Sequence, residues 1–378
     1  MSPETSLLFS KFSILLTCCW PPLLNASKLE IFIRDVLSLL AFISAFCLLI
    51  PLLCSVYQDR GNSLVMLNSM FISCGVSLLA SKIVICRIHR YRLQYILKEI
   101  SHFLSQTNKR ERETMQNYTN KYGMLHTFFT ISNYMGSLVV ILGPLYMSSR
   151  FPTDAKYPFS LDSKSIKYII YAHQTLCGFQ VSAAMSIECL VGYLLWFVAA
   201  RFDLLSQDFR FAKDEKEFCL CIKKHQKLLS FADEIMKTVC FLIFTTISVA
   251  TAGMIFGGIH IFTPEAIIIK IQSVVIVCAG CGLLFVSSWS AEYVIFMSCN
   301  IGMEIYNSSW IGLSPKSVKL RMIVIRRSQK PVTMKIGGIM PTLSLSYYAN
   351  YLSNVASYLV AVKILVNMNE KPDFKSMQ

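Results

Sequence analysis

VLSLLAFISAFCLLIPLLCSV, from Val36 to Val56, holds no charged residue and is long enough to cross a bilayer. About 20 apolar residues rise roughly 30 Å as a helix, which matches the thickness of the hydrocarbon layer. The block is apolar on every side, with neither a helical stripe nor a strand alternation. Around it, 54% of the 378 residues are hydrophobic, 15% are charged, and the mean hydropathy is +0.51. A soluble protein would carry nearer about 25% charged residues. Lipid offers the backbone no hydrogen-bond partners, so a chain crosses it as helices or as a closed barrel. A barrel would need short alternating strands, and these blocks are long. The helical reading follows.

Similar blocks predict seven spans, at about 30–56, 62–86, 124–148, 167–198, 238–262, 266–294 and 341–366. The fourth and sixth exceed what a bilayer needs and are expected to continue as helix beyond it. Basic residues alternate from loop to loop. Arg87, Arg90, Lys109 and Lys121 follow the second span; Arg210, Lys223 and Lys227 follow the fourth; Lys316, Arg326, Arg327 and Lys335 follow the sixth. The intervening loops are poor in them. The positive-inside rule therefore sets the amino terminus in the cytoplasm and the carboxyl terminus outside. The expected fold is an all-α integral membrane protein of seven transmembrane helices, inverted relative to a G-protein-coupled receptor.

The net charge of +14 is thus a topology signal. The basic residues do not gather with interleaved aromatics on a soluble face, so no nucleic-acid partner is expected. Most of the fourteen cysteines fall in apolar blocks or basic loops, which suits packing better than disulfides; Cys278 and Cys281 have CxxC spacing without a second pair. Leu7–Cys19 is interrupted by Lys11 and followed by Trp20-Pro21-Pro22, a poor cleavage site, so an interfacial amphipathic helix anchored by Trp20 is preferred over a signal peptide. Three glycosylation sequons, at Asn25, Asn117 and Asn307, fall on the cytoplasmic side and should stay unmodified. The sequence holds no phosphate-cradling glycine loop, no HExxH and no GxSxG, and its six histidines are dispersed. His225 reads as part of a helix surface or helix–helix contact. Neither catalysis nor a cofactor is expected.

The seventh span carries a polar seam. Asn350, Asn354, Ser357, Ala361 and Ile364 recur at steps of four and three, hence on one helix face. Two asparagines facing lipid would be costly, so the face meets protein or water. Helix packing and a pore wall both fit, and a central pore would require several subunits around it. Glu188 is the most isolated charge within a span and reads as hydrogen-bonded near the cytoplasm, while Lys82 and Glu292 lie where they can snorkel. Aromatic and sulfur side chains cluster in the outer halves of the spans: Met66, Met70, Phe71, Tyr134, Tyr146, Tyr168, Tyr171 and Phe179, with Ser137, Gly143, His173 and Thr175 among them. A crevice so lined would take a small, mostly apolar ligand with one or two polar atoms; for any single residue, a lipid-facing aromatic is the competing reading.

Several stretches resemble one family. TCCWPP (17–22) resembles the WP signature that opens insect odorant receptors, AKYPFSLDSKSIKYIIYAHQ (155–174) their second outer loop, and CIKKHQKLLSFADEI (221–235) their approach to the fifth helix. AEYVIFMSCNIGMEIYNSSW (291–310) and LRMIVIRRSQKPVTMKIGGIMPTLSLSYYANYLSNVASYLVAVKIL (320–365) resemble their most diagnostic region, and the RSQKP and SYL elements favour this branch over gustatory receptors. The segment between spans four and five is shorter than in the family's co-receptor, so the chain resembles a ligand-tuning subunit. The resemblance implies an odorant-gated cation channel, a heterotetramer with the co-receptor in the plasma membrane of an olfactory sensory neuron. It implies one membrane domain over 1–378: a cytoplasmic or interfacial segment at 1–28, helices one to six over 30–294 with the ligand pocket in their outer half, a cytoplasmic anchor at 295–340, and a pore-lining helix at 341–366. The pocket is expected from helices two, three, four and six, with Met66, Met70, Phe71, Tyr134, Ser137, Tyr171, Thr175 and Phe179 as candidate ligand contacts. The hydrophobic gate position falls on Ala361; alanine is smaller than the family's usual residue and Lys363 follows, which agrees with reliance on a partner.

Overall fold

The structure is a computed structural model and describes residues 1–22, 26–145, 150–262, 267–336 and 341–369. It is helical nearly throughout: α1 Pro3–Ser13, α2 Lys28–Gln58, α3 Ser63–Ile88, α4 Arg90–Gln106, α5 Lys109–Ile141, α6 Lys164–Phe211, α7 Glu215–Phe262, α8 Ile267–Tyr306, α9 Pro315–Ser328 and α10 Leu345–Asn369. Six of these, α2, α3 and α5–α8, are long and apolar enough among the described residues to cross a membrane. Helix α10, 25 residues long, also has the length to cross a bilayer at about 1.5 Å per residue. The chain is a multi-pass membrane protein, and all seven expected spans are helices.

Their ends differ from expectation where local chemistry intervenes. Helix α5 stops at Ile141, before Gly143-Pro144, rather than running to 148; residues 146–149, with Tyr146, lie outside the described residues. At its other end it begins at Lys109, where Asn108 and Glu111 form a reciprocal capping box. Helices α6 and α8 continue well past a bilayer's thickness, as expected, and so does α7, which starts at Glu215. The basic segments expected as loops are largely helix.

Helix α6 is the post of the bundle. Its buried residues run from Ile170 to Phe209, without a break from Ser186 to Ala200, and it packs on α8, α5, α7, α3, α2 and α1. Small residues permit this: Ser182, Ala183, Ala184 and Ser186 let neighbours approach, and a side chain at Gly192 would press on Tyr122 and Val286. The outer helices show apolar surface instead, as α2 does with Phe32, Leu39, Leu40, Ile43 and Ile50. That is the pattern of a bundle solvated by lipid.

The amino-terminal helix packs on the bundle, and one expectation, for Lys82, is corrected. Helix α1 docks on α5 and α6 through its serine face, with Ser6, Ser10 and Ser13 buried, and exposes Leu8 and Phe12. Ser10 and Ser13 donate to the carbonyls of Ser6 and Ser10, each at 2.9 Å, so those two hydroxyls are satisfied within the helix while the small size of serine allows close docking. Lys82 does not snorkel: it is 0% exposed and ion-paired across the bundle. His225 is buried with its ring edge-on to Phe209, a helix–helix contact as expected. All fourteen cysteines are free.

Candidate functional site

A cavity of about 160 Å³, measured as room for the centre of a water molecule, lies among α2, α3, α5, α6, α7 and α8. On α6 its wall runs from Gln174 to Glu188, about 21 Å at helical rise. Most of the wall is apolar, with Phe71 on α3, Val140 on α5, Met185 on α6 and Leu283 on α8. Glycines create the room. A side-chain carbon added at Gly136 or Gly280, both in the wall, would meet nothing within 4 Å.

Polar groups sit at three levels. At one end, Glu188 is 1% exposed and receives Lys82 Nζ at 2.5 Å and Thr246 Oγ1 at 2.6 Å on one carboxylate oxygen, with Ser287 Oγ at 2.9 Å on the other. This knot joins α3, α6, α7 and α8, so Glu188 is hydrogen-bonded, as expected, with Lys82 as its ionic partner. Opposite charges within two apolar spans call for partners, but which partners depends on which helices are neighbours. At the other end Pro152 and Thr153 join the wall, and the Thr153 amide donates to Gln174 Oε1 at 3.1 Å. Thr153 Oγ1 is buried without a partner among the described residues.

Between the ends, α5 and α6 are stitched by hydroxyls. Ser182 Oγ donates to the Asn133 carbonyl at 2.7 Å and stands 2.5 Å from Ser137 Oγ. The Asn133 side chain lines the cavity, is 4% exposed, and neither its oxygen nor its nitrogen has a hydrogen-bond partner among the described residues. Sequence reading missed Asn133; its spacing of four from Ser137 on one face of α5 was the available signal.

Of the eight candidate ligand contacts, Phe71 and Ser137 line this cavity. Met66 and Met70 are half-buried on α3 and do not. The Tyr134 hydroxyl donates to the Ser13 carbonyl at 2.8 Å, with Phe179 tilted beside its ring, so both serve the contact with the amino-terminal segment. Tyr171 donates to the Ile141 carbonyl at 2.9 Å, fixing the end of α5. Thr175 Oγ1 is buried without a partner among the described residues, outside the cavity wall. Helix α7, absent from the expected set, supplies Thr246, Val249, Ala250 and Gly253, and α2 supplies Leu48.

On α10, Asn350, Asn354, Ser357, Ala361 and Ile364 are all exposed, whereas Tyr351 and Val355 on the other side are buried. The polar seam therefore faces away from this chain's own helices. Tyr351 shares a hydrogen bond of 2.9 Å with Thr251 on α7, and Tyr348 donates to the Cys281 carbonyl on α8 at 3.2 Å.

The chain resembles known proteins along most of its length. It is 25% identical over 150 residues to odorant receptor Or2 of Anopheles gambiae, spanning 39% of each chain. It is 21% identical over 269 residues to odorant receptor 9a of Drosophila melanogaster, covering 68% of this chain and 67% of the relative. The chain thus spans about two fifths of the first relative and two thirds of the second. In fold it is similar to the insect olfactory receptor OR5 from Machilis hrabei, with a TM-score of 0.82 at 15% identity over 95% of this chain and 97% of that one. The same receptor in complex with eugenol gives 0.83 at 14% identity, over 96% and 99%. The model of the 7tm odorant receptor family matches residues 62–355, more than three quarters of the sequence. The chain belongs to that family, which is one of receptors and not of enzymes.

Proposed function

We propose that this protein is a ligand-tuning odorant receptor subunit, which binds a small volatile in the cavity and gates a cation channel together with the family's co-receptor. One observation carries the reading: α7 is shared between the cavity and α10. Thr246, Val249, Ala250 and Gly253 face the cavity, while Thr251 holds Tyr351 of α10. A ligand that repacks α7 thereby acts on the helix that bears the exposed polar seam. Asn350, Asn354, Ser357, Ala361 and Ile364 line the pore on this reading, each co-assembled subunit giving one seam to a tetramer. The concentration of Lys and Arg at one end of the bundle supports an amino terminus in the cytoplasm of a sensory neuron's plasma membrane.

Burying roughly 200–300 Å² of ligand surface yields about 5–7 kcal/mol at ~25 cal/mol/Å². Losses on association leave affinities of order micromolar or weaker. Odorant-evoked cation current in cells expressing this chain with the co-receptor tests the reading. Surface expression without current to any volatile would sink it, and an extracellular amino-terminal tag would overturn the orientation.

A further inference from the structure

The cavity's polar groups define a class of ligand. They bear on an odorant if the cavity is its site, as proposed above.

Charge comes first. Glu188 is the carboxylate in the wall, and it is already matched by Lys82 at 2.5 Å and by two hydroxyls. A ligand ammonium would find its counter-charge neutralised, and a ligand carboxylate would find Lys82 engaged. Burying either ion without a partner is expensive. The site is suited to a neutral molecule.

Hydrogen bonding then narrows the class. Asn133 stands midway along the cavity, level with Ser182 on α6, through which its carbonyl is anchored. Its amide offers two N–H donors and one acceptor oxygen, and all are unpartnered among the described residues. A hydrocarbon would leave every one of them buried. A ketone, aldehyde, ether or ester accepts from Nδ2 and leaves Oδ1 bare. A hydroxyl accepts from Nδ2–H and donates to Oδ1, closing a ring of two hydrogen bonds on one amide. Thr153 Oγ1 does not discriminate, because a lone hydroxyl can turn to donate or accept as the ligand requires.

We propose that this receptor selects neutral alcohols or phenols, whose hydroxyl docks on the Asn133 amide while an apolar body fills the space toward Phe71 and Val140. A site built for a hydrogen bond discriminates through the buried groups that a wrong ligand leaves unmatched. The preference should therefore be about tenfold or more in affinity for the hydroxyl over its isosteres.

The probes are two isosteric series: benzyl alcohol, benzaldehyde and ethylbenzene, then 1-octanol, octanal and nonane. Binding to the purified full-length chain is read as ligand-induced thermal stabilisation, and potency as current in cells co-expressing the co-receptor. In the wild type each alcohol should exceed its aldehyde, and the aldehyde its hydrocarbon. In Asn133→Leu the alcohol should lose at least tenfold and the hydrocarbon should hold or gain, collapsing the ranking. A Gly280→Leu chain, which fills the cavity, should lose all six. If Gly280→Leu abolishes binding but the wild type ranks the three functional groups equally, or Asn133→Leu weakens all of them alike, the hydroxyl assignment is wrong and the cavity reading stands. If Gly280→Leu is expressed and still binds every probe, or the wild type binds none, the cavity is not the site and both proposals fall.

Discussion

Replacing Lys82 with methionine removes the cation of a pair that lies wholly inside the bundle, with Lys82 0% and Glu188 1% exposed. At 2.5 Å and an effective dielectric of about 20, their mutual attraction is roughly 6–7 kcal/mol, much of it offset by the desolvation of both ions. The pair as a whole is therefore close to neutral for stability, whereas losing one partner is not. Lys82→Met leaves a buried carboxylate held only by Thr246 and Ser287, and should destabilise by about 3–5 kcal/mol. Glu188→Gln keeps an oxygen for one of those hydroxyls and turns an amide N–H toward the other, but strands the ammonium, at a similar cost. The double variant strands neither charge and should lie within about 1.5 kcal/mol of the wild type. Chemical unfolding of the four purified chains in one detergent gives the coupling energy, expected to exceed about 3 kcal/mol. Because Glu188 lines the cavity, Lys82→Met should also admit alkylammonium probes that the wild type rejects. Single variants that each cost under 1 kcal/mol, or a double variant that costs their sum, would refute the reasoning.

Three further outcomes are expected. Gly136→Ala adds a methyl where nothing lies within 4 Å, so it should shorten the largest alcohol that evokes current by about one carbon, without loss of thermal stability; an unchanged length cut-off argues against this wall. Tyr351→Phe removes the hydrogen bond to Thr251, a change of about 0.5–1.5 kcal/mol that should appear as altered basal current or maximal response with ligand affinity retained. Thr251→Val should match it, and adding both should change little more. Asn354→Leu leaves α10 packed, because that face is exposed in the single chain, and should alter unitary conductance or permeability ratios at constant odorant potency; a shifted potency with unchanged conduction would argue for an inter-subunit contact instead.

The spans were legible because an uninterrupted apolar block is a one-dimensional signal, and lipid leaves it one form. Their ends were less so: Gly143-Pro144 closes α5 through local backbone chemistry, while α7 gains turns at Glu215 from polar residues that say nothing of a membrane. The seam on α10 was legible from steps of four and three, and all five positions share the exposed side. The cavity was not, for a physical reason. Aromatic and sulfur side chains are the lining that sequence suggests, yet Tyr134 and Tyr171 direct their hydroxyls to backbone carbonyls, and the space exists where side chains are missing, at Gly136 and Gly280. A void is made by neighbours distant in sequence. Lys82 and Glu188 each stand out as charges in apolar spans, but they lie 106 positions apart, and pairing them needs α3 and α6 to be adjacent.

Glycine also decides what α7 can do with a ligand. A side-chain carbon at Gly257 would lie 3.1 Å from Phe71 and 3.0 Å from Val277, and one at Gly258 would collide with Leu359 of α10. Helix α7 is thus pressed closely on both sides at this level, toward the cavity by Gly257 and toward α10 by Gly258. Packed interiors transmit displacement because they have little space to absorb it. Driving a channel from 1:99 to 99:1 takes about 5.5 kcal/mol of differential affinity, nearly all of the gross 5–7 kcal/mol that burying a volatile supplies. On the proposed reading, one site can approach full opening only if the ligand-accommodating shape of α7 is scarcely present in the closed state. Close packing at Gly257 and Gly258 serves that requirement; slack at this level would let the ligand bind both states and open neither.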